Sequence, residues 1–232
     1  MEWFVVRGPR RTLTFAFALT VGLDLLLIGA DILQRNDLLS DSRFLVTHER
    51  GFGEFFQYAK AMSATVLLAA LAVRQRSRAA LLWALLLIFV AADDSLQLHE
   101  RAGQLLAAKL ALPAIGAARP AHLGELLFYA IVGLPAAAAL AAVWLRGGAE
   151  DRRIMPVLLC SFGALVVCAV GLDAIASLTH DSAVGPLFAV LEDGGEMLAL
   201  TTLVCSVLYL LVQPAASRHD LRDLAAAAPA AR

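Results

Sequence analysis

The 232-residue chain is 60% apolar and 17% charged, with a net charge of -1 and a mean hydropathy of +0.74. A soluble domain is about 45–50% apolar and about 25% charged, so this composition excludes an ordinary soluble fold and predicts a polytopic protein of the lipid bilayer. The near-zero net charge gives no reason to expect a nucleic-acid partner. Cys160, Cys168 and Cys205 all sit inside apolar runs. That placement argues against a disulfide framework or a Cys-rich metal site and predicts buried free thiols.

Six apolar segments follow in chain order, each near the ~20 residues needed to cross a bilayer core. They cover 12–34, 52–73, 79–100, 122–145, 154–178 and 184–212. The first has a basic start, as a signal peptide would. Its apolar run exceeds the ~7–15 residues of a signal core and holds Asp24, so it is read as a retained helix. Helices are required because backbone in lipid must satisfy its own hydrogen bonds. Pro156 and Pro186 fall near segment starts, where a missing N–H is harmless, and Pro135 predicts a kink in segment four. The expected fold class is therefore all-α: one bundle of about six transmembrane helices over 1–213, with an Ala-rich, poorly ordered tail over 214–232.

Orientation follows from the basic residues. Arg7, Arg10 and Arg11, then Arg74, Arg76 and Arg78, then Arg146, Arg152 and Arg153, then Arg218, Arg222 and Arg232 fall on one side. Arg35, Arg43, Arg50, Arg101, Lys109 and Arg119 are spread over longer connections on the other. Both termini are expected in the cytoplasm, and the chain in the inner (plasma) membrane as a multi-pass protein.

With this topology the polar residues gather at one depth. Segment three ends in "ADDSLQLHE", and Asp93 lies ~21 Å along it at about 1.5 Å per residue. Asp93, Gln97, Glu100 and Gln104 fall at helical spacing on one stripe, while Ser95 and His99 share another face. Segment two begins with Glu54 and Tyr58, and segment four with His122, Glu125 and Tyr129. Segment five ends with Asp173, Ser177 and His180. Segment six carries "LEDGGEML", with Glu192, Asp193 and Glu196 around a glycine pair that lets a helix or ligand approach closely. Charges at bilayer depth are costly and mark functional sites. The expected metal ligands are Asp93, His99, Glu125, Glu192 and Glu196. Glu54, Glu100, His122, Asp173 and Asp193 are further pocket residues. Asp24 is deep and alone, so a hydrogen bond to a neighbouring helix is expected. Lys60 is available as a counter-ion for Glu54 or the acids of segment six.

"DDSLQLHE" and "LEDGGEML" together resemble a pattern in uncharacterised bacterial multi-pass membrane proteins, D-[DE]-x-x-x-L-H-E followed by a late E-[DE]-x-x-E-[ML]. That resemblance covers the two motifs and the six-span layout and implies no activity. The residue types at Ser95, His99, His122, Asp173 and His180 are also similar to those of alkaline ceramidase and adiponectin-receptor-like membrane hydrolases. That similarity implies a zinc ion held by three histidines with a nearby Ser and Asp. The H-x-x-x-H pair and the seventh span of those hydrolases are absent here. Three classes of function stay open on the sequence. One is a metal-dependent membrane enzyme using Zn, Fe or Mn. The others are a proton- or cation-coupled transporter, and a non-catalytic subunit or assembly factor with a membrane-protein partner or a second copy of itself.

Overall fold

The computed structural model describes residues 9–48, 50–116, 118–179, 182 and 184–213. The tail 214–232, Arg7 and His180 lie outside the described residues. Six helical spans are long and apolar enough to cross a membrane, and no strand is present among the described residues. The spans are α1 (Pro9–Arg35), α2 (Phe52–Gln75), α3 (Arg78–Leu96), α5 (Pro120–Arg146), the pair α6 (Ala149–Val166) and α7 (Asp173–Thr179), and α8 (Gly185–Val212). An extra helix, α4 (Leu98–Leu110), follows α3. Both ends of the bundle lie at one face, here the terminal face. The ends of α1, α3 and α7 and the starts of α2, α5 and α8 lie at the opposite, distal face.

Apolar helices gain little by hiding from lipid, so packing contacts and interhelical hydrogen bonds hold them together. The terminal half is a dry core of Leu68, Leu71, Trp83, Leu87, Ile154, Leu158, Leu203, Val207 and Leu210 from α2, α3, α6 and α8. Trp83 meets Phe162 edge-on, with ring centroids 5.1 Å apart. At the terminal face Asp151 accepts from Ser77 Oγ (2.7 Å), the Ala79 N–H (2.9 Å) and the Gly148 N–H (3.2 Å). One carboxylate thus caps its own helix and ties it to the start of α3. The early start of α6 places Pro156 inside the helix rather than at its first turn. α5 continues through Pro135 as one helix. All three cysteines are free, but none is fully buried: Cys160 is exposed on the outside of the bundle, and Cys168 and Cys205 are half-buried.

Two features set the positions of the distal residues. Span five widens into a π-helical stretch, Val167–Leu172, between α6 and α7. A Cβ on Gly195 would lie 2.7 Å from Cys168 Sγ in that stretch, and one on Gly194 would lie 3.2 Å from Ile28 Cδ1 of α1. The glycine pair therefore admits a helix on each side of α8 rather than a ligand. The loop after α1 is fastened by Asp31, whose Oδ1 accepts the Val46 N–H (3.0 Å) and whose Oδ2 takes Arg35 Nε (2.7 Å). Asp41 caps the next short turn through the Arg43 N–H. The Arg43 guanidinium holds the Asp41 carboxyl down to about 2.

Candidate functional site

Span three brings its acids to the distal face and then turns. Gln97 adopts a left-handed backbone (φ 52°), and its N–H bonds the carbonyls of Asp93 and Asp94. α4 then starts at Leu98 in a new direction. Asp93 braces this turn: Oδ1 accepts the His99 N–H at 2.9 Å, and Oδ2 lies 3.2 Å from His99 Nδ1. Gln97 makes no side-chain cap for α4, so Asp93 supplies the capping oxygen from the preceding helix. The expected stripe Asp93–Gln97–Glu100–Gln104 is therefore not one helix face. Asp93 is buried in a structural role, and its neighbour Asp94 is the acid that opens to a cavity.

His99 stacks on Tyr129 of α5, with centroids 5.5 Å apart. Burial favours the neutral imidazole. The Asp93 carboxylate, with the charges of Glu100 and Glu125, outweighs that and holds His99 above its ordinary value. α4 packs against α5 at a backbone contact: a Cβ on Gly124 would run into the Gly103 carbonyl, and one on Gly103 would meet the Glu125 nitrogen at 2.9 Å. Glu125 is thereby placed at the α4–α5 seam.

The polar residues then divide between two cavities. The first, about 240 Å³, is lined by Glu54, Gln57, Asp94, Glu100, Asp193 and Glu196, with His48, Arg50, Gln97 and Arg101. It shares Gln57, Asp94 and Glu196 with a deeper space of about 80 Å³ that also touches Tyr58 and Asp93 and ends on Ala61, Val90, Leu165 and Leu200. Glu54 is oriented by two donors, the Arg50 N–H and the Tyr58 hydroxyl. The second cavity, about 580 Å³, lies between the distal ends of α1, α5, α7 and α8. It is lined by Arg35, Arg119, His122, Asp173, Ser177 and Glu192, with Ala176, Gly185, Pro186 and Ala189.

The sequence-expected ligands are thus separated. Glu196 lines the first cavity and its extension, Asp93 only the extension, and Glu192 lines the second cavity. His99 and Glu125 line none of the three spaces. Of the further pocket residues, Glu54, Glu100 and Asp193 join the first cavity, and His122 and Asp173 the second. Among the described residues no three His, Cys, Asp or Glu side chains are grouped as direct ligation of a metal ion would need.

Below the first cavity, Lys60 meets none of the acids expected as its partners. Its Nζ donates to Asp24 Oδ1 (2.6 Å), the Met197 carbonyl (2.7 Å) and Thr201 Oγ1 (3.3 Å), and sits 4.6 Å from the Phe56 ring centre. The Thr201 hydroxyl donates to the other Asp24 oxygen. All three ammonium donors are used, and α1, α2 and α8 are joined at mid-span. Asp94 and Gln57 are the site residues that sequence spacing missed. Gln57 reaches the first cavity from α2 and Asp94 from the last turn of α3, and their convergence depends on how the helices pack rather than on spacing along either one.

Six helical spans with a dry terminal half and polar cavities in the distal half define a multi-pass membrane protein. The chain belongs to the family described as Domain of unknown function (DUF8692), whose sequence model matches residues 12–211. No curated protein and no solved structure matches it.

Proposed function

We propose that the chain is a plasma-membrane protein with cytoplasmic termini whose first cavity binds a hydrated divalent cation from the outer side. The observation that carries this reading is the lining: among the described residues, five carboxylates, Glu54, Asp94, Glu100, Asp193 and Glu196, against two arginines, Arg50 and Arg101, and one histidine, His48. Such an excess of acids is relieved by a bound cation. The side chains are too dispersed to strip an ion of its water. A hexahydrated ion takes roughly 180 Å³ at ~30 Å³ per water, which the cavity of about 240 Å³ admits. Oxygen ligands suit Mn better than Zn or Fe, so Mn is the metal of choice among the three expected. A metal-dependent enzyme is the activity this arrangement fits best. A carrier has less support, because the cavity is closed beneath by apolar side chains and the dry core.

The test is equilibrium dialysis of the purified full chain against Mn²⁺. One ion per chain is expected, with affinity falling about tenfold in Glu196→Gln and Asp94→Asn, as loss of a charged partner implies. No uptake by the wild type, or unchanged uptake in both variants, refutes the reading. A second reading, a non-catalytic membrane subunit, draws on α5, which turns Ile131, Leu134 and Leu145 outward and buries little of its spanning stretch. A stoichiometric partner co-purifying with a metal-free chain would establish it.

A further inference from the structure

The second cavity differs from the first in charge and surroundings, and nothing about the cation site requires it. It holds both signs at once. Arg119, Arg35 and His122 stand with Asp173, Glu192 and Ser177. Arg35 is pre-positioned by Asp31. Among the described residues His122 Nδ1 is buried with no hydrogen-bond partner, a cost that a ligand would remove. The first turns of two long helices, α5 and α8, also line it through His122, Gly185 and Pro186, and helix starts carry partial positive charge. The cavity volume of about 580 Å³ lies within the ~300–1,000 Å³ typical of small-ligand sites.

We propose that this cavity binds the zwitterionic headgroup of a phosphatidylethanolamine-type lipid. The phosphate sits with Arg119, Arg35 and His122, and the primary ammonium with Asp173 and Glu192. Two features choose this ligand. The two helices α7 and α8 that line the cavity also expose Ile175, Leu178, Leu187 and Leu191, a surface for acyl chains that a free phosphoamine would leave unused. Among the described residues the lining holds two carboxylates and no Phe, Tyr or Trp ring. Carboxylates accept hydrogen bonds from a primary ammonium, whereas a quaternary choline head donates none and favours an aromatic cage.

The experiment uses the delipidated full chain in detergent. Binding of short-chain phosphatidylethanolamine, short-chain phosphatidylcholine and soluble phosphoethanolamine is measured by native mass spectrometry and thermal shift. Phosphatidylethanolamine is expected to bind at least about tenfold tighter than the other two, and Arg119→Gln and Glu192→Gln each to weaken it about tenfold, as for one charge-assisted contact. Lys109→Gln, at the far end of α4, serves as the control and leaves binding unchanged. Gel filtration checks that each variant is folded, and Asp173→Asn replaces any that is not. Equal binding of the choline lipid, or binding indifferent to the arginine and carboxylate variants, overturns the proposal. Equal binding of soluble phosphoethanolamine overturns the lipid as its source.

Discussion

Lys60→Met should destabilise the protein far more than its position on one helix suggests. Lys60 is 4% exposed and Asp24 fully buried, and the ammonium fills three hydrogen bonds. Removing it leaves the Asp24 carboxylate, among the described residues, with the Thr201 hydroxyl alone. Breaking a buried pair from one side costs about 3–5 kcal/mol, because the remaining charge is uncompensated. Replacing both members is much milder. In Asp24→Leu/Lys60→Met the chief loss is the Thr201 hydroxyl's partner, about 1–3 kcal/mol. The Met197 carbonyl keeps its place in the ladder of α8. A double-mutant cycle should therefore show the pair of substitutions costing about 2 kcal/mol or more less than the sum of the singles. The assay is reversible unfolding in mixed micelles, followed by tryptophan fluorescence. Additive single variants, each costing under about 1 kcal/mol, would refute the clasp and return Lys60 to the role of counter-ion for the cavity acids.

Two shorter predictions concern the distal turn. Gly124→Ala should cost about 1–3 kcal/mol through overpacking, since its Cβ meets the Gly103 carbonyl. Gly133→Ala on the same helix, with nothing within 4 Å, should be silent in the same unfolding assay; equal behaviour of the two would dismiss the close backbone approach. His99 is held above its ordinary value, so its contribution to stability is complete below about pH 6.5. It disappears as the pH rises through the folded value. Asp93→Asn should flatten that part of the pH–stability curve, and a curve unchanged by the substitution would sink the assignment.

How much of this was legible in the sequence depends on which force fixed each feature. The six spans follow from bilayer thickness and hydropathy alone, and every expected segment lies within a few residues of an observed helix or, for segment three, of α3 and the start of α4. The end of the bundle at which the acids gather was also legible, because a fixed rise per residue converts position into distance along a helix. Angular position was not. The left-handed residue at Gln97 breaks span three without a Gly or Pro, and everything beyond it, Glu100 included, turns to a new direction. The partner of Asp24 was hidden for a related reason: Lys60 lies 36 positions away, and only the packing of α1 on α2 and α8 brings the two together.

The same limit decides the meaning of "LEDGGEML". Glu192 and Glu196 are one helical turn apart, offset by roughly 40°, and a sequence reading puts them in one site. In the folded chain α8 is the partition between two cavities. Asp193 and Glu196 look into the first, and Glu192 into the second. A 40° offset is small on a single helix but sufficient when neighbours press close on both flanks, as Ile28 and Cys168 do against the glycine pair. Gly194 and Gly195 thus let α1 and the π-helical stretch approach closely enough to wall one cavity from the other. It follows that Glu192→Gln and Glu196→Gln, chemically identical changes four residues apart, should have separable effects. The first should weaken lipid binding and spare Mn²⁺ uptake, and the second should do the reverse. A shared loss in both variants would mean that α8 borders one continuous site.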